Sequence, residues 1–542
     1  MKNFDGTLNG TRMTRMRRMD ADVCLSERMN LSTLPKSATI RLIRLIRVPI
    51  LVICVLSTFT AAAAPFPADT ITDYYEVETI DLPKGLTAEV GGLSFLPDGR
   101  LVACFRRGEV MFYNPKTKTW KLFAEGLHDP LGILAVSARE ILVMQRPELS
   151  RLRDTDGDGV ADDYQTVTDD FGLSGNYHEF AFGPVRDKAG NLYIGLNLAS
   201  NGAGIFPEVR GQLDSLGRPG RMYAAVPHRG WILQIQPNGK MVPYALGFRS
   251  PNSLGFDSQG NLLVADNQGD WLGTSKLYHV QPGRFYGHPS SLVWKEGFPN
   301  INPLKLPVRT LDSMRTVESV AFPHSRIAHS PTQPVLDETG GKFGPFAGKM
   351  LIGEMDSPYL VRLMLETVDG QMQGACVPFL AGTGLRQGNN RLAFAPDGSL
   401  WVGQTDHGWV GARGIQRIRW KGKTPLEVAD MKLTSTGFDL TFTQPLDAAT
   451  ATEAANYSFR RYFYEYHEAY GSKQFDVQPV PVSAARLSAD GRTVSLTLAE
   501  LKPGYIYELE LGPLQSTSRQ RLQSRLLCYT LNRLQKNRAA NP

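Results

Sequence analysis

The sequence lacks most of the features that assign a chain quickly. It has only five cysteines in 542 residues. Cys24 and Cys54 fall in the first 64, which leaves Cys104, Cys376 and Cys528, odd in number and far apart. That spacing argues against a disulfide framework, with a single pair still open, and the lack of any Cys-x-x-Cys-His excludes a c-type haem of its own. There is no Walker loop, no glycine fingerprint of a dinucleotide fold after a strand, and no Gly-x-Ser-x-Gly elbow. Nucleotide enzymes and α/β-hydrolases are disfavoured accordingly. An excess charge of one sign is also missing. The first 64 residues hold ten basic against four acidic side chains, an excess equal to the +6 of the whole chain. The remainder is near neutral, and nothing in it calls for nucleic acid.

The leader has a form of its own. A basic stretch precedes an apolar run at 48–60 and then four alanines at 61–64. Basic, apolar and small in that order describes a secretory signal, with cleavage after Ala63. The run is short for a membrane span, which needs ~20 apolar residues. A secreted or periplasmic protein is expected, with retention by an uncleaved N-terminal anchor as the alternative and Met29 as an alternative start.

Beyond the leader the chain is repetitive. An apolar triplet around Phe, a Gly-containing turn and a second apolar strand recur. They stand at Phe95 with Pro97-Asp98-Gly99, at Phe182 with Gly190-Asn191, at Phe256 with Gly260-Asn261 and at Phe394 with Asp397-Gly398. A weaker copy stands at Ile133-Leu134-Ala135, and another is read at Phe322 with Gly348-Lys349-Met350-Leu351. Six hairpins of this kind predict an all-β fold, a six-bladed β-propeller over 70–420, because one blade cannot bury both its faces. Insertions at 197–230 and 285–318, rich in Gly, Pro and Ser with little helical pattern, are expected to cover or narrow the mouth. A linker at 421–425 leads to period-two alternation at 437–442, 494–498 and 505–511. That rhythm predicts a C-terminal immunoglobulin/fibronectin-like β-sandwich over 425–532 with an accessory role. Tyr462, Tyr464, Tyr466 and Tyr470 cluster there. They are read as core or interdomain packing in preference to a sugar-gripping surface.

In a propeller, the approach to each inner strand and the exit from the second strand converge on one opening. Polar residues fill nearly all of these positions, among them Asp129, Arg106, Gln145, Asp266, Glu354 and Gln404. Two others stand out. A neutral imidazole at His178 can take the proton of a substrate hydroxyl near pH 7. A guanidinium at Arg249 can hold an oxygen that gains negative charge. The pair suits oxidation of an alcohol or hemiacetal carbon, and equally hydrolysis.

Asn176-Tyr177-His178 with Phe182-Gly183-Pro184, and Gly247-Phe248-Arg249-Ser250-Pro251-Asn252, are similar to the two blades of soluble quinoprotein glucose and sorbosone dehydrogenases that carry their histidine and arginine. Asp266-Asn267-Gln268-Gly269-Asp270 and Gly283-Arg284-Phe285-Tyr286-Gly287-His288-Pro289 resemble that family's next segment. The chain more closely resembles secreted bacterial "membrane-bound dehydrogenase" homologues. The resemblance implies a dehydrogenase dependent on pyrroloquinoline quinone (PQQ) that acts on a sugar or polyol and passes electrons to a separate carrier such as a cytochrome. It implies His178 as general base, with Arg249, Ser250 and Asn267 against the cofactor. Arg386 and Arg391 stand in for the family's paired arginines. Ser250 stands where the family has asparagine, Asp356 where it has a lysine, and Lys276 where it has an acid. Two rival readings remain. One is a propeller lactonase or hydrolase using Glu354 and Asp356 on a metal-bound water; the other is a non-catalytic propeller that binds glycan or protein.

The sharpest local motif is Asp154-Thr155-Asp156-Gly157-Asp158-Gly159-Val160-Ala161-Asp162-Asp163. Its acids at positions one, three, five and nine with Gly at six match a calcium loop. Asp154, Asp156, Asp158, the Val160 carbonyl and Asp162 are the expected ligands. The ion is expected to stiffen the connection between blades two and three. His324 and His329 give a weak metal hint, and His279 and His288 read as packing or loop residues.

Overall fold

The computed structural model describes residues 69–202, 210–407 and 410–535. The expected leader, cleavage site and anchor lie outside the described residues. Among the described residues no helix is long and apolar enough to cross a membrane.

Five four-stranded antiparallel sheets, and four strands of an eight-stranded one that stand fifth in order, occupy residues 75–420. Their opening strands are Val90–Phe95, Gly132–Ser137, Ala181–Arg186, Pro251–Phe256, Pro331–Leu336 and Asn389–Phe394. Each touches the next and the sixth returns to the first, so the sheets stand round one axis in a propeller-like arrangement. The ring is closed by Tyr75–Ile80, which pairs with Gly414–Trp420 as the outer strand of the sixth sheet, Tyr75 opposite Trp420. Of the second strands, Leu101–Phe105 and Leu400–Gln404 are buried at every residue. Both of their faces meet neighbouring sheets, which is why they read as continuous apolar runs without alternation.

Glycine sets how closely the sheets approach. A Cβ on Gly132 would stand 1.6 Å from the Gly183 carbonyl oxygen of the third sheet, and one on Gly255 2.2 Å from that of Pro334 in the fifth. No side chain fits between these backbones.

The repeat read at Phe322 needs correction. Val320–Phe322 is the outer strand of the fourth sheet, and the fifth sheet opens instead with Pro331–Leu336, which carries two prolines and no Phe. The first insertion forms the small hairpin Ala199–Ser200 with Met222–Tyr223. The second holds two 3-10 turns and a helix, Val308–Met314, and packs against the first.

Beyond Trp420 two further sheets pack face to face. Val428–Leu433, Gly437–Phe442, Thr493–Leu498 and Val482–Leu487 form one. Leu526–Leu531, Tyr505–Leu511, Tyr457–Tyr464 and Gln474–Val480 form the other, and it continues by hydrogen bonding from Gln371–Phe379 of the fifth sheet to make eight strands. Phe438, Leu440, Leu496, Tyr507, Leu509 and Tyr529 fill the space between them. The three described cysteines are free and buried; Cys376 and Cys528 face each other across the seam.

Candidate functional site

His178 sits on the approach to the third sheet and is held by its neighbours. The Asn176 Oδ1 accepts from the backbone N–H groups of His178 and Ser200, at 3.0 and 3.1 Å. Arg146 donates to the carbonyls of Asn176 and Tyr177, at 3.1 and 2.9 Å, and to Asp129 at 2.6 Å. Asp129 also accepts from Arg106 at 2.7 Å. The His178 Nδ1 lies 3.3 Å from the Leu198 carbonyl. A carbonyl only accepts, so Nδ1 carries the proton and Nε2 keeps its lone pair.

Arg249 is reached through the same residue. The Leu198 N–H donates to the Arg249 carbonyl at 3.2 Å. The N–H groups of Arg249 and Ser250 donate to the Asp266 carboxylate at 2.9 and 2.6 Å, which fixes the turn. The Arg249 side chain runs past Gly269, where any Cβ would stand 2.5 Å from its Nε. That Nε is buried without a hydrogen-bond partner, as are Asn267 Oδ1 and Gln268 Oε1. Burial and the Arg249 guanidinium together push the His178 imidazole down to about 3, so it is neutral at ordinary pH.

His178, Arg249, Ser250 and Asn267 all line one cavity of about 350 Å³, within the size range of small-molecule sites. Arg386 and Arg391 do not line it. Arg386 donates to Gln404 at 2.6 Å. Arg391 is buried over the Phe182 ring, and donates to the carbonyls of Gly91 and Leu131, both at 2.8 Å, and to Asn390 and Asn252. It ties inner strands together across the ring. Glu354 is likewise turned away from the cavity. Its carboxylate accepts from the backbone N–H groups of His329, Ser330 and Asp356, and burial with Asp356 beside it pushes its pKa up to about 7. Asp356 does line the cavity, with His329 Nδ1 at 3.1 Å.

Other lining residues were read otherwise in the sequence, His324 and His329 as a weak metal hint and Tyr470 as packing, and His407 and Arg221 were not singled out. His324 and His329 stack at 4.2 Å on the cavity wall, and His407 faces Tyr177 across 6.2 Å. Arg221 enters from the first insertion and Tyr470 from the C-terminal sheets. Of the four clustered tyrosines, Tyr462, Tyr464 and Tyr466 pack inside as expected, but Tyr470 is exposed. Lys276 is buried against Glu318 at 2.9 Å, and His288 is buried on Asp270 at 3.2 Å.

The acidic loop lies elsewhere. It joins Leu149–Arg153 to Asp163–Thr168 within the second sheet, and so does not bridge the second and third. Asp154, Asp156 and Asp158 bring carboxylate oxygens within 4.8 Å of one another. The Asp162 carboxylate is taken by the N–H and hydroxyl of Thr155, at 3.0 and 2.7 Å. The Val160 N–H donates to Asp158 at 2.7 Å.

Residues 116–319, under half of the chain, match a family described as a domain of unknown function, DUF7133. No curated protein matches in sequence. Among solved structures the chain is similar to a putative oxidoreductase (glucose dehydrogenase) of Thermus thermophilus, at 20% identity and TM-score 0.46 over 64% of this chain and 99% of that one. It is similar to a PQQ-bound aldose sugar dehydrogenase of Streptomyces coelicolor at 18% identity and TM-score 0.44, over 64% and 98%. The PQQ domain of a pyranose dehydrogenase of Coprinopsis cinerea is similar at 12% identity and TM-score 0.43, over 64% and 95%.

Proposed function

We propose that the protein is a secreted quinone-dependent dehydrogenase of sugars or polyols, built as a six-bladed propeller with an immunoglobulin/fibronectin-like sandwich at its C-terminus. The observation that carries this reading is the unpartnered, buried Nε of Arg249 in the cavity that His178 also lines. A buried charged donor without an acceptor costs stability unless a ligand supplies the acceptor. An oxygen-rich ligand fits here. Arg249 would hold a quinone or carboxylate oxygen, and Asn267 and Gln268 present buried acceptor oxygens to any N–H or O–H of the same ligand. Arg106 and Arg221 line the cavity as well, each already near a carboxylate, Asp129 at 2.7 Å and Asp270 at 3.6 Å.

Pyrroloquinoline quinone, when bound, supplies a two-electron acceptor. The chain's own part is acid–base and electrostatic. His178, fixed by Leu198 in the tautomer with a free Nε2, takes the proton of the substrate hydroxyl there. Arg249 binds and stabilises the oxygen on which negative charge accumulates. A separate electron carrier, such as a cytochrome, would be the partner of this reaction. The Asp154, Asp156 and Asp158 oxygens suit a calcium ion that braces the outer strands of the second sheet, with Lys121 already on the Asp158 carbonyl at 2.5 Å.

The test is reconstitution with the quinone and calcium, followed by dye reduction with a panel of sugars. Quinone-dependent reduction is expected to fall about 10²–10⁴-fold in His178→Ala and to persist in His279→Ala. Ester or lactone cleavage without quinone would overturn the reading.

A further inference from the structure

Among the described residues three aromatic side chains are exposed, Tyr164, Tyr177 and Tyr470, and two of the three line the candidate cavity. Tyr470 comes from far along the chain, in the turn between Tyr457–Tyr464 and Gln474–Val480. That turn is docked. The Tyr466 hydroxyl donates to the Gly287 carbonyl at 2.5 Å, and the Trp271 N–H to the His467 carbonyl at 3.2 Å. The N–H groups of Gly471 and Ser472 donate to the carbonyls of Gly269 and Gly273, both at 2.9 Å. Asp270 and Tyr470 form a β-bridge.

Asp270 gathers the wall from three segments. Its carboxylate accepts from the Met222 N–H of the first insertion at 3.2 Å, and meets His288 at 3.2 Å and Arg221 at 3.6 Å. On this support the Tyr470 ring is half exposed, at 50%, with Arg221 4.4 Å and Arg249 6.0 Å from its centroid. A firmly held backbone that keeps an aromatic ring open at a cavity wall forgoes burial that packing elsewhere would give. Arg221 lies over this ring, so its exposed half offers the apolar surface, while Arg221 and Gln268 of the same cavity offer polar groups. A pyranose matches that division, with C–H groups on its face and hydroxyls round its edge.

We propose that Tyr470 is a substrate-contacting residue, its ring the platform on which a pyranose rests, with Tyr177 as a second aromatic face. The C-terminal sheets thereby help set which sugars are accepted. The inference rests on the sugar-binding part of that reading and not on the quinone or the oxidation.

Saturation-transfer-difference NMR on the full chain without quinone tests it, with methyl β-D-glucopyranoside and cellobiose as probes. Transfer to the sugar C–H protons is expected in the wild type, Tyr470→Phe and Tyr164→Ala, and about fivefold less in Tyr470→Ala, with unchanged circular dichroism. Equal transfer in Tyr470→Ala and wild type, or none to either sugar in the wild type, overturns the proposal. Equilibrium dialysis of PQQ against the same proteins separates the two readings. Quinone binding with no dependence of sugar transfer on Tyr470 removes the platform alone. Tyr470-dependent transfer without quinone binding removes the dehydrogenase and leaves the platform standing.

Discussion

Burial first, and then the Arg249 guanidinium beside it, hold the His178 imidazole far below a free one. With its pKa near 3 in the fold against 6.5 for the free side chain, the unfolded chain takes up a proton between those values that the folded chain refuses. Stability therefore falls as pH drops from 6.5 towards 3. Chemical denaturation at pH 7 and pH 4.5 is expected to show a larger loss for the wild type than for His178→Gln; equal losses would mean an unperturbed ring. That His178, Arg249 and Ser250 share a cavity with Asn267 follows from motif order, which placed the first three on approaches to inner strands and Asn267 on the exit from a second strand. Arg391 was read ahead of the sixth inner strand but lies within it, Asn389–Phe394, and a basic residue there reads the same whether it faces a ligand or, as here, the carbonyls of Gly91 and Leu131. Tyr470 was illegible for another reason. Nothing in a tyrosine-rich turn beyond residue 420 says that it docks on the loop at 268–273.

Each opening strand loses register with its neighbour near one end, as between Val90 and Gly92, Pro251 and Leu254, or Asn389 and Arg391. Such irregularities re-aim side chains, so alternation could not say which polar residues face the opening. Several of those read as a mouth ring serve as pegs instead. Gln145 accepts from the His128 N–H, Asp266 from Arg249 and Ser250, and Glu354 from His329 and Ser330. The ends of the second strands thus shape the loops that carry the site. How closely the sheets approach is as exacting. Gly132→Ala would put a methyl group 1.6 Å from a backbone oxygen that cannot swing aside. A loss of more than about 3 kcal/mol is expected in urea denaturation, and a loss below about 1 kcal/mol would mean that the sheets can slide.

The alternating segments of the C-terminal part were legible as strands, but its hydrogen-bonded continuity with the fifth sheet was not, because an edge's free N–H and C=O groups leave no mark on side-chain pattern. That seam is reinforced by Glu508, 1% exposed, which accepts from Arg326 ahead of the fifth sheet at 2.6 Å, from Arg460 at 2.9 Å and from the Tyr462 hydroxyl at 2.8 Å. Glu508→Ala removes the acceptor these three share, leaving Arg326 only its bond to Glu510. A cost of roughly 2–4 kcal/mol is expected, read as an earlier urea midpoint, and an unchanged midpoint would show that the seam stands on backbone bonding alone. The ring closure carries a kinetic consequence. Tyr75–Ile80 leaves the ribosome before any sheet exists, yet its partner Gly414–Trp420 is made only after five sheets have been completed. For that whole interval the strand is an unpaired edge joined to a growing arc, a contact of very high sequence separation. The step that closes the ring is therefore the capture of a strand made before its first sheet.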